Sequence, residues 1–252
     1  MARIALVHGV AGVAATQAEI LRSAGHDVDH IRMPDFGARW GWFAKALTLP
    51  IRLLLYLPNP IDVRAVAGSP GVPQHVRSVV IFMRLDPVKG VDRVFPAVRR
   101  LAAMLDVTAL AWGPLAADFT TRYGDVVRFV EPVPHEEIGR FLAQFDLVVG
   151  QMEQGALGLS ELEAMAAGRP LISGINRDLY PGDKPPVVSS YDPDELVEQV
   201  EKLKDDSRRL ENLSREGRAW VRRNHGFERH LQLLEAAYFG TPARVSEMPI
   251  AM

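Results

Sequence analysis

The chain has 252 residues, of which 48% are hydrophobic, and its 29 basic and 31 acidic residues give a formal net charge of −2. This length allows one large domain or two small ones, and the near-neutral charge gives no reason to expect nucleic acid as a partner. The absence of cysteine excludes disulfides and thiolate metal sites and suits a reducing, cytoplasmic compartment. The seven histidines lack metal-ligand spacing, and no apolar run of about 18 residues predicts a membrane span.

The N-terminal region predicts a βαβ unit. Residues 4–7 read as a strand, residues 16–24 as a helix and residues 28–31 as a second strand. His8 follows the first strand and opens a glycine-containing turn. The turn lacks the full Gly-x-Gly-x-x-Gly pattern, so a dinucleotide site is not predicted.

Residues 39–57 combine aromatic, aliphatic and basic side chains, with Pro50 as a break. Such a stretch suits a peripheral contact with the inner face of a membrane. It also suits a helix packed on the N-terminal sheet, which is the interpretation that we favour. The prolines and glycines that follow, up to residue 73, indicate a linker.

A strand over residues 76–83 leads into Arg84-Leu-Asp-Pro-Val-Lys89-Gly90. An arginine and a lysine five residues apart on a strand-to-helix turn can converge on one diphosphate. The alternative is an exposed basic pair without a ligand.

Strands and helices alternate from residue 76 to residue 175, which predicts a parallel sheet covered on both faces. We predict helices over 91–104, 115–122 and 134–144, and strands over 107–112 and 126–130. His135 has a catalytic interpretation, but proline and acidic residues in a first turn favour an ordinary helix start.

Residues 146–175 read as strand, glycine loop, helix, glycine stop and strand. A loop that feeds a helix N-terminus after a parallel strand binds anions, because free amides and the helix dipole both attract negative charge. We expect the amides of Gly155, Ala156, Leu157 and Gly158 to bind phosphate. Helices are then predicted over 193–204, 206–224 and 227–239, followed by a frayed tail.

The run Gly155-Ala-Leu-Gly-Leu-Ser-Glu-Leu-Glu163-Ala-Met-Ala-Ala-Gly-Arg-Pro-Leu-Ile resembles the donor-site signature of the family-4, or group 1, retaining glycosyltransferases. The segments 57–62 and 84–90 are similar to two further motifs of that family. Glu163 falls on the second glutamate of the signature, which in the family holds the ribose of a nucleotide sugar. Gly155 stands where the first glutamate contacts the donor sugar, and Glu153 is two residues out of register.

The resemblance implies an α/β, GT-B-like fold, with a Rossmann-type parallel-sheet donor domain and a truncated N-terminal βαβ domain. The implied division is 1–58 for the abbreviated acceptor-side domain, 59–73 for a linker, 74–225 for the donor domain and 226–252 for a C-terminal helix and tail.

The implied function is transfer of a sugar from a nucleotide-sugar donor to a sugar or lipid-linked acceptor, with retention. Arg84, Lys89 and the 155–158 amides would bind the diphosphate without a metal or other cofactor, and Glu163 would bind ribose. The resemblance assigns no catalytic residue, and His8 is the candidate; self-association would complete the cleft of a short first domain. Two alternatives are a non-catalytic nucleotide-sugar-binding subunit and a GT-B-type sugar-nucleotide epimerase.

Overall fold

A computed structural model describes residues 3–8, 13–32, 58–66, 71–180 and 182–239. The predicted amphipathic stretch 39–57 and the tail 240–252 lie outside these residues. The chain divides into two compact units, and it crosses from one to the other after Pro60 and again after Arg223. Among the helices of the described ranges, none is long and apolar enough to cross a membrane.

The first unit contains the predicted βαβ pattern. Strands β1 (Arg3–His8) and β2 (Asp27–Arg32) are parallel, with Ile4 opposite Val28, and helix α1 (Val13–Ser23) connects them. The C-terminal helix Phe227–Phe239 packs on α1. Their shared core consists of Ala18, Leu21, Val28 and Leu234.

The second unit is built on six strands. They are β3 (Ser78–Ile81), β4 (Asp106–Leu110), β5 (Arg128–Val130), β6 (Leu147–Val149), β7 (Leu171–Ser173) and β8 (Val188–Ser189). Within the described residues that follow β2, the helices are α2 (Val63–Val66), α3 (Val91–Val94), α4 (Val98–Ala102), α5 (Ala116–Tyr123), α6 (Ile138–Leu142), α7 (Leu159–Ala166), α8 (Pro193–Leu203), α9 (Ser207–His225) and α10 (Phe227–Phe239). Short 3₁₀ turns occupy Pro87–Lys89, Phe95–Ala97, His135–Glu137 and Arg177–Leu179.

The six strands form one parallel sheet in the order β5-β4-β3-β6-β7-β8. The chain therefore builds outward from β3 to β5 and then returns to place β6 on the other side of β3. In open α/β sheets, ligands bind in the crevice at the carboxyl ends of the two strands where the order reverses. Here those strands are β3 and β6.

The sheet is buried on both faces, as the apolar runs in its strands predict. Alternate residues of β3 and β6, such as Val79 and Val80, belong to two separate cores. Both strands are wholly inaccessible at Val79–Ile81 and at Leu147–Val149. Exposed side chains therefore begin only in the loops beyond the carboxyl ends of these strands, at Arg84 after β3 and at Glu153 after β6.

The helix predicted over residues 91–104 is not continuous. It consists of α3, a 3₁₀ turn at Phe95–Ala97 and α4. The cause is Pro96, which has no N–H for a helical hydrogen bond and whose ring clashes with the preceding turn. The helix predicted over residues 227–239 is confirmed at both ends.

Candidate functional site

Two segments meet at the point where the strand order reverses. We call residues 84–90, which follow β3, the basic loop, and residues 150–158, which follow β6, the glycine loop. The Met152 amide of the glycine loop donates to the Lys89 carbonyl of the basic loop at 3.0 Å. Beside this bond, Arg93 and Glu153 form an ion pair at 2.8 Å. The two sequence motifs therefore form one site.

Gly90 permits the close contact between the loops. Its φ of +74° lies in the left-handed region, which favours glycine. A Cβ at this position would lie 3.0 Å from the Glu153 backbone nitrogen and 3.1 Å from the Met152 carbonyl carbon. Because both neighbours are backbone atoms, a larger residue would push the two loops apart.

Lys89 places its charge at the beginning of α7. Its Nζ donates to Gln154 Oε1 at 2.9 Å and lies 4.0 Å from the position that a Cβ on Gly158 would occupy. Gly158 is the N-cap of α7. A helix N-terminus carries partial positive charge, so the ammonium and the helix dipole attract an anion to the same place.

Arg84 lies across the basic loop in an ion pair with Asp86. The Arg84 side chain is 45% exposed, whereas Asp86 is 10% exposed and also accepts from the Val88 amide at 3.1 Å. The hydrogen bond from Arg84 makes the largest contribution to lowering the pKa of Asp86. The hydrogen bond from the Val88 amide comes next, and the charge of Lys89 makes a smaller contribution. Asp86 therefore anchors the arginine and lies within the field of both cations.

Sequence reasoning did not single out Asp86. The available signal was Asp86-Pro87, an N-cap residue followed by a proline suited to a first helical position. The structure places this pair at the start of the 3₁₀ turn Pro87–Lys89.

The amides predicted to bind phosphate fall into two pairs. Leu157 N–H donates to the Tyr180 hydroxyl at 2.8 Å, and Gly158 N–H donates to Glu161 Oε2 at 2.9 Å. Within the described ranges, the amides of Gly155 and Ala156 have no acceptor. The donors that remain are these two amides and the first turn of α7, where helices leave N–H groups unpaired.

Glu161 and Gln151, both buried, hold the glycine loop in shape. Glu161 accepts from the backbone amides of Gln151 at 3.0 Å and Gly158 at 2.9 Å. The Gln151 side chain accepts from the amides of Glu153 and Gln154 and donates to the Ala156 carbonyl. A glutamate at the third position of a helix, which reaches back to the N-cap amide, is the signal that predicts this role.

We expect Glu161→Gln to lower the free energy of unfolding by about 2 kcal/mol, because a buried amide N–H₂ would face one of two backbone donors. Urea unfolding followed by circular dichroism measures the change. The matched control is Glu201→Gln on the exposed face of α8. An effect of Glu161→Gln no larger than that of the control would show that the carboxylate does not organise the loop.

Glu163 lies one helical turn beyond Leu159, the first residue of α7, a rise of about 6 Å. It is 5% exposed. Burial, with a contribution from the charge of Glu161, raises the pKa of Glu163 from 4.5 to about 7. A carboxyl at this distance from an anion site can accept hydrogen bonds from a sugar attached to a bound phosphate.

His135 begins a 3₁₀ turn, as its sequence context predicts, but it also contacts Glu163. Its Nδ1 lies 3.4 Å from Glu163 Oε1, and its ring is 79% exposed. The two residues belong to different turns of the chain, and the helix-start interpretation of His135 contained no signal for the contact. The structure thus adds an imidazole to the predicted site.

His8 and Glu153 are two further residues that the sequence analysis named. His8 is the last residue of β1 in the first unit, and its side chain lies outside the described part of the structure. Glu153, the glutamate nearest to the missing first position of the signature, points its carboxylate to Arg93. Across the ranges that the structure describes, no group of three or more His, Asp or Glu side chains is arranged to hold a metal ion.

A doubly wound parallel sheet with an anion site where the strand order reverses is the arrangement of Rossmann-like nucleotide-binding domains. Residues 76–206 match the family model described as Glycosyl transferases group 1. The chain belongs to this family, and the resemblance in its motifs is confirmed.

Two curated relatives illustrate the range of similarity. D-inositol 3-phosphate glycosyltransferase 2 of Catenulispora acidiphila is 27% identical over 173 residues, which cover 60% of this chain and 40% of the relative. The GDP-mannose-dependent alpha-(1-6)-phosphatidylinositol monomannoside mannosyltransferase of Mycolicibacterium smegmatis is 28% identical over 229 residues, or 80% of this chain and 59% of the relative. The chain thus spans between two fifths and three fifths of the length of these relatives.

Solved structures confirm the fold. The Anabaena protein Alr3699/HepE, in complex with UDP and glucose, matches with a TM-score of 0.64 at 13% identity, over 95% of this chain and 99% of that chain. A glycosyltransferase from Rickettsia africae matches with a TM-score of 0.68 at 10% identity, over 95% and 97% of the two chains. The predicted α/β, GT-B-like class is therefore correct.

Proposed function

We propose that this protein transfers a sugar from a nucleotide-sugar donor to an acceptor, with retention of the anomeric configuration. The basic loop and the N-terminus of α7 bind the donor diphosphate, and Glu163 binds the ribose. The observation that carries the proposal is the position of Lys89, whose ammonium lies at the N-terminus of α7 across the point where the strand order reverses.

Transfer of a glycosyl group breaks the bond between the anomeric carbon and the diphosphate, so negative charge grows on the leaving group. Lys89 and the α7 dipole stabilise that charge, since both already point to one place. Arg84 adds a second cation by exchanging its contact with Asp86 for a phosphate oxygen. These groups supply the positive charge, and the proposal requires no metal.

Glu163 gives the site its selectivity for a nucleotide over inorganic phosphate. In its ionised form the carboxylate accepts hydrogen bonds from two hydroxyl groups, which strengthens both bonds. Because Glu163 is one helical turn from the anion end of α7, one ligand can reach both groups. A nucleoside diphosphate contains a phosphate and a ribose at neighbouring positions.

The ligands of related proteins guide the choice of donor and acceptor. The M. smegmatis relative is named for GDP-mannose and a phosphatidylinositol mannoside, and the Anabaena structure contains UDP and glucose. We therefore propose UDP- or GDP-sugars as donors and inositol- or lipid-linked sugars as acceptors.

Thermal-shift measurements with UDP-, GDP- and ADP-sugars test donor binding, and product analysis with an acceptor panel tests transfer. A new glycoside is the expected product. An isomerised sugar nucleotide would identify an epimerase instead, and binding without conversion would identify a non-catalytic subunit. No shift with any nucleotide at millimolar concentration would refute the donor site.

A further inference from the structure

Helix α9 concentrates positive charge in a chain whose net charge is negative. Its 19 residues include six arginines, no lysine and two glutamates, whereas the whole chain has a formal net charge of −2. The positive charge of α9 is therefore a local feature. A planar guanidinium matches the paired oxygens of a phosphate better than an ammonium does, so a helix whose cations are arginines suits a phosphate-bearing partner.

Four of these arginines lie on one face of the helix, which we call the arginine stripe. The stripe consists of Arg208, Arg215, Arg218 and Arg222. With 3.6 residues per turn, this spacing keeps the four side chains within about 80° of the helix circumference, over a length of about 21 Å. All four are exposed. Glu211 is the acidic residue on the same face.

The opposite face of α9 is fixed to the core of the second unit. Leu210 and Trp220 are buried, and the Trp220 indole donates to the Asp183 carbonyl at 2.7 Å. A Cβ on Gly217 would lie 3.6 Å from the Cβ of Met165 on α7, so the two helices are in direct contact. Because this packing fixes the rotation of α9, the arginine stripe is held on its outer face.

No carboxylate of the described ranges neutralises the arginine stripe. Arg215 donates to the neutral side chain of Asn212 at 3.3 Å, and none of the four arginines forms an ion pair with a described carboxylate. Other exposed arginines of the same unit do form such pairs, which are Arg93–Glu153, Arg99–Asp125, Arg122–Asp118 and Arg223–Asp183. The stripe therefore keeps its positive charges available to a partner.

We propose that the arginine stripe binds the anionic surface of a lipid bilayer and so brings the protein to a lipid-linked acceptor. The choice of a lipid among phosphate-bearing partners rests on the proposed function, which includes lipid-linked acceptors. A planar array of headgroup phosphates fits guanidinium groups on the convex face of one helix, because such an array requires no groove. Nucleic acid fits less well, since the chain is acidic overall and the stripe carries no aromatic side chain on which bases could stack.

The attraction between the stripe and a bilayer acts at short range. Salt screens exposed charges over about 8 Å at physiological ionic strength, so acidic groups farther from the membrane oppose binding only weakly. Each arginine near an anionic leaflet strengthens binding about fivefold. Removing two arginines should therefore weaken binding about twenty-fivefold.

Flotation with vesicles of phosphatidylcholine that contain about one third phosphatidylglycerol tests the proposal. We expect the wild type to bind these vesicles but not pure phosphatidylcholine, and to be released as salt rises from about 0.1 to about 1 M. Arg215→Gln/Arg218→Gln should bind about twenty-fivefold more weakly, since glutamine keeps the helix propensity but not the charge. Arg99→Gln/Arg100→Gln, which removes two exposed cations from α4, is the matched control and should bind as the wild type does.

Equal vesicle binding by the wild type and Arg215→Gln/Arg218→Gln, or equal binding to neutral vesicles, would place the contact elsewhere and overturn the proposal. Tighter binding to a duplex oligonucleotide than to anionic vesicles would identify nucleic acid as the partner instead. Arg215→Lys/Arg218→Lys should bind within about threefold of the wild type, because it keeps both charges. A lysine pair as weak as the glutamine pair would show structural damage and refute the electrostatic role.

Vesicle binding requires neither nucleotide nor acceptor. A chain that binds nucleotides but not anionic vesicles would refute the role of the stripe and leave the donor site intact. A chain that binds anionic vesicles through the stripe but no nucleotide would refute the donor site alone.

Discussion

Replacing Lys89 with alanine is expected to weaken the binding of a nucleoside diphosphate tenfold to a hundredfold. A charge-assisted hydrogen bond contributes about 1.5–3 kcal/mol, and each 1.4 kcal/mol corresponds to a factor of about ten. Lys89 makes its side-chain bond to Gln154, an exposed residue of the glycine loop. The protein should therefore lose little stability while it loses the cation nearest to the N-terminus of α7.

Lys202→Ala is the matched control. It also removes one positive charge from the second unit, but Lys202 lies on α8 and pairs with Glu198 within that helix. Isothermal calorimetry with UDP and GDP should show a loss for Lys89→Ala alone, and urea unfolding should show similar stability for both variants. Equal affinities for wild type and Lys89→Ala would remove Lys89 from the site.

Glu163→Gln is expected to stabilise the folded protein at neutral and alkaline pH while it weakens nucleotide binding. In the folded protein the pKa of Glu163 is raised to about 7, mainly by burial, against a usual value of 4.5. A raised carboxyl pKa contributes stability below pH 4.5, and that contribution is lost as the pH rises through 7. This pKa difference corresponds to a change in the free energy of unfolding of at most about 3–4 kcal/mol. Glutamine resembles the protonated acid and does not incur this loss.

Urea unfolding at a series of pH values measures this effect. The advantage of Glu163→Gln over wild type should be near zero at pH 4 and should grow to its full size at pH 8. Glu161→Gln provides an internal comparison, because the same chemical change two residues away removes hydrogen bonds and is destabilising. A Glu163→Gln protein that is less stable than wild type at pH 8 would show that the carboxylate stabilises the fold.

The same variant tests the ribose assignment. Glu163→Gln keeps the size of the side chain but loses the charge that strengthens two hydroxyl contacts. UDP and GDP should bind more weakly, and pyrophosphate should bind as it does to wild type. Equal losses for all three ligands would indicate general damage to the glycine loop.

Opposite effects of Glu161→Gln and Glu163→Gln would place the two carboxyls in separate roles. Both carboxylate oxygens of Glu161 accept hydrogen bonds from backbone amides, so this residue stabilises the fold. Glu163 lies 3.4 Å from an exposed imidazole, and burial raises its pKa and opposes its ionisation, which is typical of a residue retained for binding. Residues that oppose folding mark functional sites when geometry also brings them to a crevice.

The sequence by itself determined the kind of most elements and the family. Periodicity and glycine or proline stops are local properties, so the apolar runs at residues 76–83 and 147–150 predict strands, and the C-terminal helix 227–239 is predicted at both ends. The spacing of Arg84, Lys89 and Gly90 is equally local. These features require no knowledge of what the chain contacts elsewhere.

Some local signals were overlooked, and some contacts had no local signal. Pro96 divides a predicted helix, the Gly158 amide donates to Glu161 three residues later, and Asp86 pairs with Arg84 two residues earlier, so all three features could have been predicted from neighbouring residues. The contacts of Leu157 with Tyr180 and of His135 with Glu163 join residues more than 20 positions apart. Such tertiary contacts leave no periodic signal in the sequence.

Only the tertiary structure decided where the two motifs meet. Buried parallel strands have similar apolar sequences, so their patterns do not specify which strand lies beside which. Pairing β6 with β3 follows from hydrogen bonds and packing between strands that are far apart in the chain. That pairing brings Lys89 within 2.9 Å of Gln154, 65 residues later, because the carboxyl ends of adjacent parallel strands open at the same edge of the sheet.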